Sequence, residues 1–280
     1  MTSVAPGAPP GVSAEPGRAA TALARSIRQL ASRVITLCWV ELRKIRHDRT
    51  EPYTRAIQPA LWLLVFGETF TKIHAIPTGT YPYLAYLTPG ILAQSGLFVA
   101  IFYGIQIIWE RDAGVLTKLM VTPTPRAALI TGKAFAAGIR SIAQALVVPV
   151  LAALLGVALT DNPLKLLATA AVVVLGSAFF ACLSMTIAGL ALSRERLMGI
   201  GQAITMPLFF SSNALYPAHL MPGWLQAISR ANPLSYEVDA LRGLLIGAPS
   251  HLPLDAAVLV MATVAGIGAA SALLPRLARR

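Results

Sequence analysis

Residues 109–126 read WERDAGVLTKLMVTPTPR, a short charged interruption between two long apolar runs. The runs at 91–108 and 134–159 are each near or beyond the ~20 residues that cross about 30 Å of hydrocarbon. Inside the interruption, Val115, Leu116, Leu119 and Met120 recur at the spacing that places side chains on one face of a helix. Arg111 and Lys118 fall to one side of that face, with Gly114 and Thr117 opposite. Pro123 and Pro125 then stop the helix, because each lacks an N–H and restricts the residue before it. A loop that only reversed the chain need not be amphipathic. The stretch predicts two membrane helices joined by a short helix shaped for a contact.

Composition supports this. Of 280 residues, 56% are hydrophobic and 12% charged, where soluble domains carry roughly 25% charged residues. The mean hydropathy is +0.66. A formal charge of +11 raises the question of nucleic acid, but the basic residues punctuate apolar runs instead of gathering on one soluble domain, so no nucleic-acid partner is expected. Cys38 and Cys182 stand alone in apolar stretches, without disulfide or metal-ligand spacing.

Residues 1–32, rich in Pro, Gly and Ala, are expected to form a disordered cytoplasmic tail without a cleavable signal. Residues 33–52 follow as an amphipathic helix, with Val34, Ile35, Cys38, Trp39, Leu42 and Ile45 on one stripe and Glu41, Arg43, Lys44 and His47 on the other. A basic helix bearing Trp suits the membrane interface. The transmembrane domain occupies 53–280, with six spans expected at 56–76, 83–108, 134–159, 164–192, 197–215 and 254–274. Glu68 interrupts the first. Lys and Arg number eighteen in the termini and the alternate loops that include 109–133, against four in the other connections. This asymmetry places both termini and the 109–133 loop in the cytoplasm.

The last external connection, 216–253, predicts two helices. One covers 223–230 after Pro222, bearing Trp224, Leu225 and Ile228. The other opens with Asn232 as N-cap and Pro233 at its first position, then aligns Leu234, Val238, Leu241 and Leu245 on one face. Glu237 and Asp239 fall where the helix dipole favours negative charge. Together they suggest a re-entrant hairpin or a surface-lying helix.

No side-chain constellation here performs chemistry. The one Gly-Lys pair, Gly132-Lys133, lacks the upstream glycine of a P-loop. The four histidines are dispersed, and there is neither an HExxH nor a GxSxG. Three polar residues fall inside spans: Glu68 in the first, and Arg140 with Gln144 one turn later in the third. Such residues face protein or water, since a charge at mid-bilayer costs about 2.5–3.5 kcal/mol. They are candidates for a substrate path or for buried structural pairs.

The segment WERDAGVLTKLMVTPTPRAALITGK resembles the cytoplasmic loop of type-2 ABC transporter permeases, and LFFSSNALYPAHLMPGWLQAISRANPLSYEVDALRGLL is similar to their external signature. Pro222, Trp224, Asn232, Pro233, Tyr236, Asp239 and Arg242 fall in place. Val115 stands where Thr is usual, Thr117 where Glu is usual, and Asn213 where Gly is usual. The resemblance covers residues from about 33 to 280, and its closest flavour is the daunorubicin-resistance type of exporter. It implies an all-α permease paired with a second copy, a homodimer or a heterodimer with a paralogue, and with separate ATPase subunits that bind ATP and Mg. This chain would then hold no cofactor and no catalytic residue. The expected ATPase contact combines Glu41 and Lys44 of the interfacial helix with Glu110, Arg111, Asp112, Gly114, Val115, Leu116, Leu119 and Met120 of a coupling helix. Efflux of a hydrophobic drug, antibiotic or lipid across the bacterial plasma membrane is the implied function. Saccharide export by the same architecture, or an ion-driven carrier using Glu68, are the alternatives.

Overall fold

A computed structural model describes residues 32, 34–36, 39, 43, 50–73, 76–121 and 125–278. The regular structure among them is entirely helical. α1 (Thr50–Leu61) runs through a π-helical turn (Trp62–Gly67) into α2 (Glu68–Ile73), followed by α3 (Tyr83–Asp112) and α4 (Val115–Val121). Next come α5 (Arg126–Leu154), α6 (Pro163–Ala191), α7 (Arg194–Ser211) and a 3-10 turn (Ala218–Leu220). α8 (Gly223–Ala231), α9 (Pro233–Leu245) and α10 (Leu252–Ala278) complete the chain.

Among the described residues, α3, α5, α6 and most of α10 are long and apolar enough to cross a membrane. The other two expected spans have a different character. α7 is only 18 residues long and opens with Arg194, Glu195 and Arg196. The first expected span is broken by the π turn, with half-buried Glu68 starting the α-helix that follows. Several boundaries also move. α3 carries on four residues past Ile108, so Trp109–Asp112 belong to it and not to the short amphipathic helix. α5 starts at Arg126 and ends at Leu154, with Gly156 at φ +83 just beyond.

Local chemistry explains the helix starts. The Asn162 side chain accepts a hydrogen bond from the Leu164 N–H at 2.9 Å, with Pro163 at the first helical position of α6. Ser193 caps α7 in the same manner.

α3 forms the centre. Leu87, Ile91, Leu92, Leu97, Tyr103, Ile107 and Ile108 along it are buried, and α6 packs against it, α5 and α10. Small residues set that spacing. A Cβ at Gly104 would overlap the backbone of Ser184, whose Oγ donates to the Ile101 carbonyl at 2.6 Å. This is how membrane helices approach closely without a hydrophobic drive between them.

Of the expected tail and interfacial helix, Ser32, Val34–Thr36, Trp39 and Arg43 are described, all helical. Ile35 and Trp39 are exposed, and the Arg43 guanidinium lies over the Trp39 ring at 5.5 Å. Glu41, Lys44 and the rest of 1–49 lie outside the described residues, as does the Met120 side chain.

Candidate coupling surface and external clasp

The polar end of α3 is tied to two other parts of the chain. Glu110 accepts from Lys133 Nζ of α5 at 2.6 Å and from Gln106 Nε2 of its own helix at 3.2 Å. Arg111 donates to the Leu192 carbonyl at 2.8 Å and pairs with Asp112 at 2.7 Å. Asp112 also accepts from Arg194 of α7 at 2.8 Å, and that guanidinium lies over the exposed Trp109 ring. Leu192 adopts the left-handed region at φ +60, the helix-ending conformation that aims its carbonyl at Arg111. The sequence reading singled out Glu110, Arg111 and Asp112. It missed Lys133, Leu192 and Arg194, whose link to them depends on the fold.

After this cluster the chain turns at Ala113 and Gly114. Gly114 has φ +69, and nothing lies near the Cβ it lacks, so backbone conformation and not space demands glycine there. In α4, Leu116 is 0% exposed and joins the core of its own chain, whereas Val115 is 43% exposed. Thr117 and Lys118 are exposed and Leu119 is partly so. The apolar stripe expected to meet a partner as a unit is therefore divided: Leu116 anchors the helix inward and Val115 faces out.

At the other end of α3, Arg242 of α9 closes a second cluster. It is 4% exposed, and its guanidinium stacks on the Tyr86 ring at 3.6 Å. It donates to the carbonyls of Asn213 at 2.5 Å and Ala214 at 3.3 Å, and meets Asp239 at 3.5 Å. Asn213, where the family pattern has glycine, donates its amide to Asp239 at 2.7 Å. Burial raises the Asp239 carboxyl above its usual range, against the lowering pull of Arg242 and the Asn213 amide.

Asn232 performs two tasks. Its Oδ1 caps α9 through the Leu234 N–H at 3.0 Å, and its Nδ2 donates to the Leu208 carbonyl of α7 at 2.6 Å. Tyr236 donates to the Arg230 carbonyl at 2.7 Å. Pro222 precedes α8, where Trp224 is 67% exposed. Glu237 corrects the expectation of a dipole-facing acid, since it is wholly buried with neither carboxylate oxygen hydrogen-bonded. Burial pushes its carboxyl well above the ordinary range.

The three intramembrane candidates separate. Gln144 is buried and lines a cavity between α1, α3 and α5. The Arg140 guanidinium lies over the Tyr103 ring at 5.9 Å. Glu68, half-buried, is not among the residues lining that cavity.

Comparison with known proteins agrees with the geometry. The family described as "ABC-2 type transporter" matches residues 32–246. A putative transport permease, ycf38, of Cyanophora paradoxa is 31% identical over 194 residues, covering 67% of this chain and 65% of that protein. The daunorubicin resistance ABC transporter permease protein DrrB1 of Streptomyces coeruleorubidus is 25% identical over 216 residues, 77% of this chain and 76% of its own length. Nodulation protein J of Rhizobium meliloti is 27% identical over 169 residues, 60% and 63% of the two chains. This chain thus spans just under two thirds of the ycf38 permease.

Proposed function

The chain belongs to the ABC-2 type transporter family, and from that premise we propose that it is the permease subunit of an ATP-driven exporter, carrying a hydrophobic drug, antibiotic or lipid-like substrate outward. In this reading a separate ATPase supplies ATP hydrolysis, and a second permease copy completes the path. The continuous stretch from α1 to α2, and α7, provide two further crossings, making six with both termini in the cytoplasm. Daunorubicin resistance in the Streptomyces relative's name supports the substrate class.

The observation that carries the reading is the cluster at the end of α3. A short helix is presented there on a glycine turn, and the base of that turn is ion-paired to α5 and α7. A push on α4 is thereby passed to three helices. Gly114→Pro tests this, because proline cannot adopt φ +69. The expected result is a protein present in the membrane at normal level whose ATP-dependent efflux falls to background. Full efflux by that variant removes the reading.

A further inference from the structure

A cavity of about 420 Å³ opens between α1, α3 and α5, within the range of small-ligand sites, about 300–1,000 Å³. Its wall is graded. Arg55 lies at one level, its guanidinium 4.9 Å from the centre of the Phe102 ring. Phe98 lies one turn along α3 from Phe102, and Ser95 and Gln144 stand deeper. Phe102 comes ten residues before Asp112, so it sits about 15 Å along the helix from the charged end. Phe102 is 50% exposed and Gln58 is also exposed, so the cavity opens sideways and not along the bundle axis.

Two features of the wall point to a ligand. Arg55 is the charged side chain among the described lining residues, with no carboxylate beside it in the wall. Gln144 is 1% exposed, yet its Oε1 accepts no hydrogen bond. A buried amide oxygen left without a donor costs about 1–3 kcal/mol, a loss that a bound donor recovers. The Ser95 hydroxyl does not supply it, being committed to the Ile91 carbonyl at 2.7 Å.

We infer that this cavity is a lateral access site for an amphiphile with an anionic head group and a hydrogen-bond donor along its chain, taken from the cytoplasmic leaflet. The inference rests on the export reading and its orientation. Arg55 holds the head group near the polar boundary, Phe98 and Phe102 pack the apolar body, and Gln144 Oε1 accepts from a hydroxyl or amide at depth. A cationic amphiphile is disfavoured by Arg55. The anionic head may equally be a lipid phosphate or a free carboxylate, and the two sources share this chemistry.

The test uses the full-length permease in phosphatidylcholine nanodiscs and a photoactivatable fatty acid bearing a mid-chain hydroxyl. Its alkylamine counterpart and its analogue without the hydroxyl serve as controls. Labelling of peptides containing Arg55, Phe102 and Gln144 is normalised to that of the exposed Met261 region of α10. The carboxylate is expected to label about tenfold more than the amine, the worth of one charge-assisted hydrogen bond. Arg55→Gln removes this preference, Arg55→Lys keeps it, and Gln144→Leu removes the preference for the hydroxylated chain. Phosphatidic acid added to the disc displaces the probe if the head group comes from lipid, and leaves it in place if the ligand is a free carboxylate. Equal labelling by amine and acid, or an Arg55→Gln protein that keeps the preference, overturns the site. Because labelling needs no ATPase, the two readings fail separately. ATP-driven efflux without charge preference removes the site alone, and charge preference without efflux removes the export reading.

Discussion

Arg242 is a side chain whose shape matters as much as its charge. Its planar fork reaches two carbonyls and Asp239 while its face lies on Tyr86, a set that a lysine ammonium cannot reproduce. Arg242→Lys is therefore expected to cost about 1–3 kcal/mol, seen as a lowered thermal midpoint in detergent. Asp239→Asn should cost less, since its side chain is 44% exposed and water can replace part of what is lost. If the two losses are equal, Arg242 acts as a simple counter-ion and not as a clasp. Asn213 shows how a departure from the family pattern is absorbed. Its backbone carbonyl still receives Arg242 and the added side chain finds Asp239.

At the scale of elements, the Glu110–Lys133 pair links the end of α3 to the start of α5. A double-mutant cycle with Glu110→Gln and Lys133→Met should give a coupling of roughly 0.5–3 kcal/mol, measured by thermal unfolding. Additive losses would mean that the helices are held by packing alone. Features with a local cause were legible in the sequence. Asn232 and Pro233 start α9, and its stripe of Leu234, Val238, Leu241 and Leu245 is buried as the spacing indicates. Features that depend on distant partners were not. Asp112 meets Arg194 across 82 positions, and no pattern marks the π turn at Trp62–Gly67. An apolar helix stripe likewise does not say whether its partner lies in the same chain. Leu116 found one within its own core, and so the stripe of α4 divided.

For the whole molecule, the distribution of charge makes a claim about sidedness. The α4 region and the α8 region should lie on opposite faces of the membrane. Single cysteines at Thr117 and Trp224, both exposed, test it in a background without Cys38 and Cys182. An impermeant thiol reagent applied from outside is expected to modify the position 224 variant only. Modification of both from one side would overturn the topology. The divided stripe of α4 has a further consequence for how such a protein changes over generations. Leu116 is fixed by the chain's own interior, while Val115, Thr117 and Lys118 face outward and answer to nothing within it. Two of these three outward positions are where this chain departs from the family pattern. A lineage can thus retune which motor it works with by exchanging a few surface side chains, while the buried leucine keeps the lever seated.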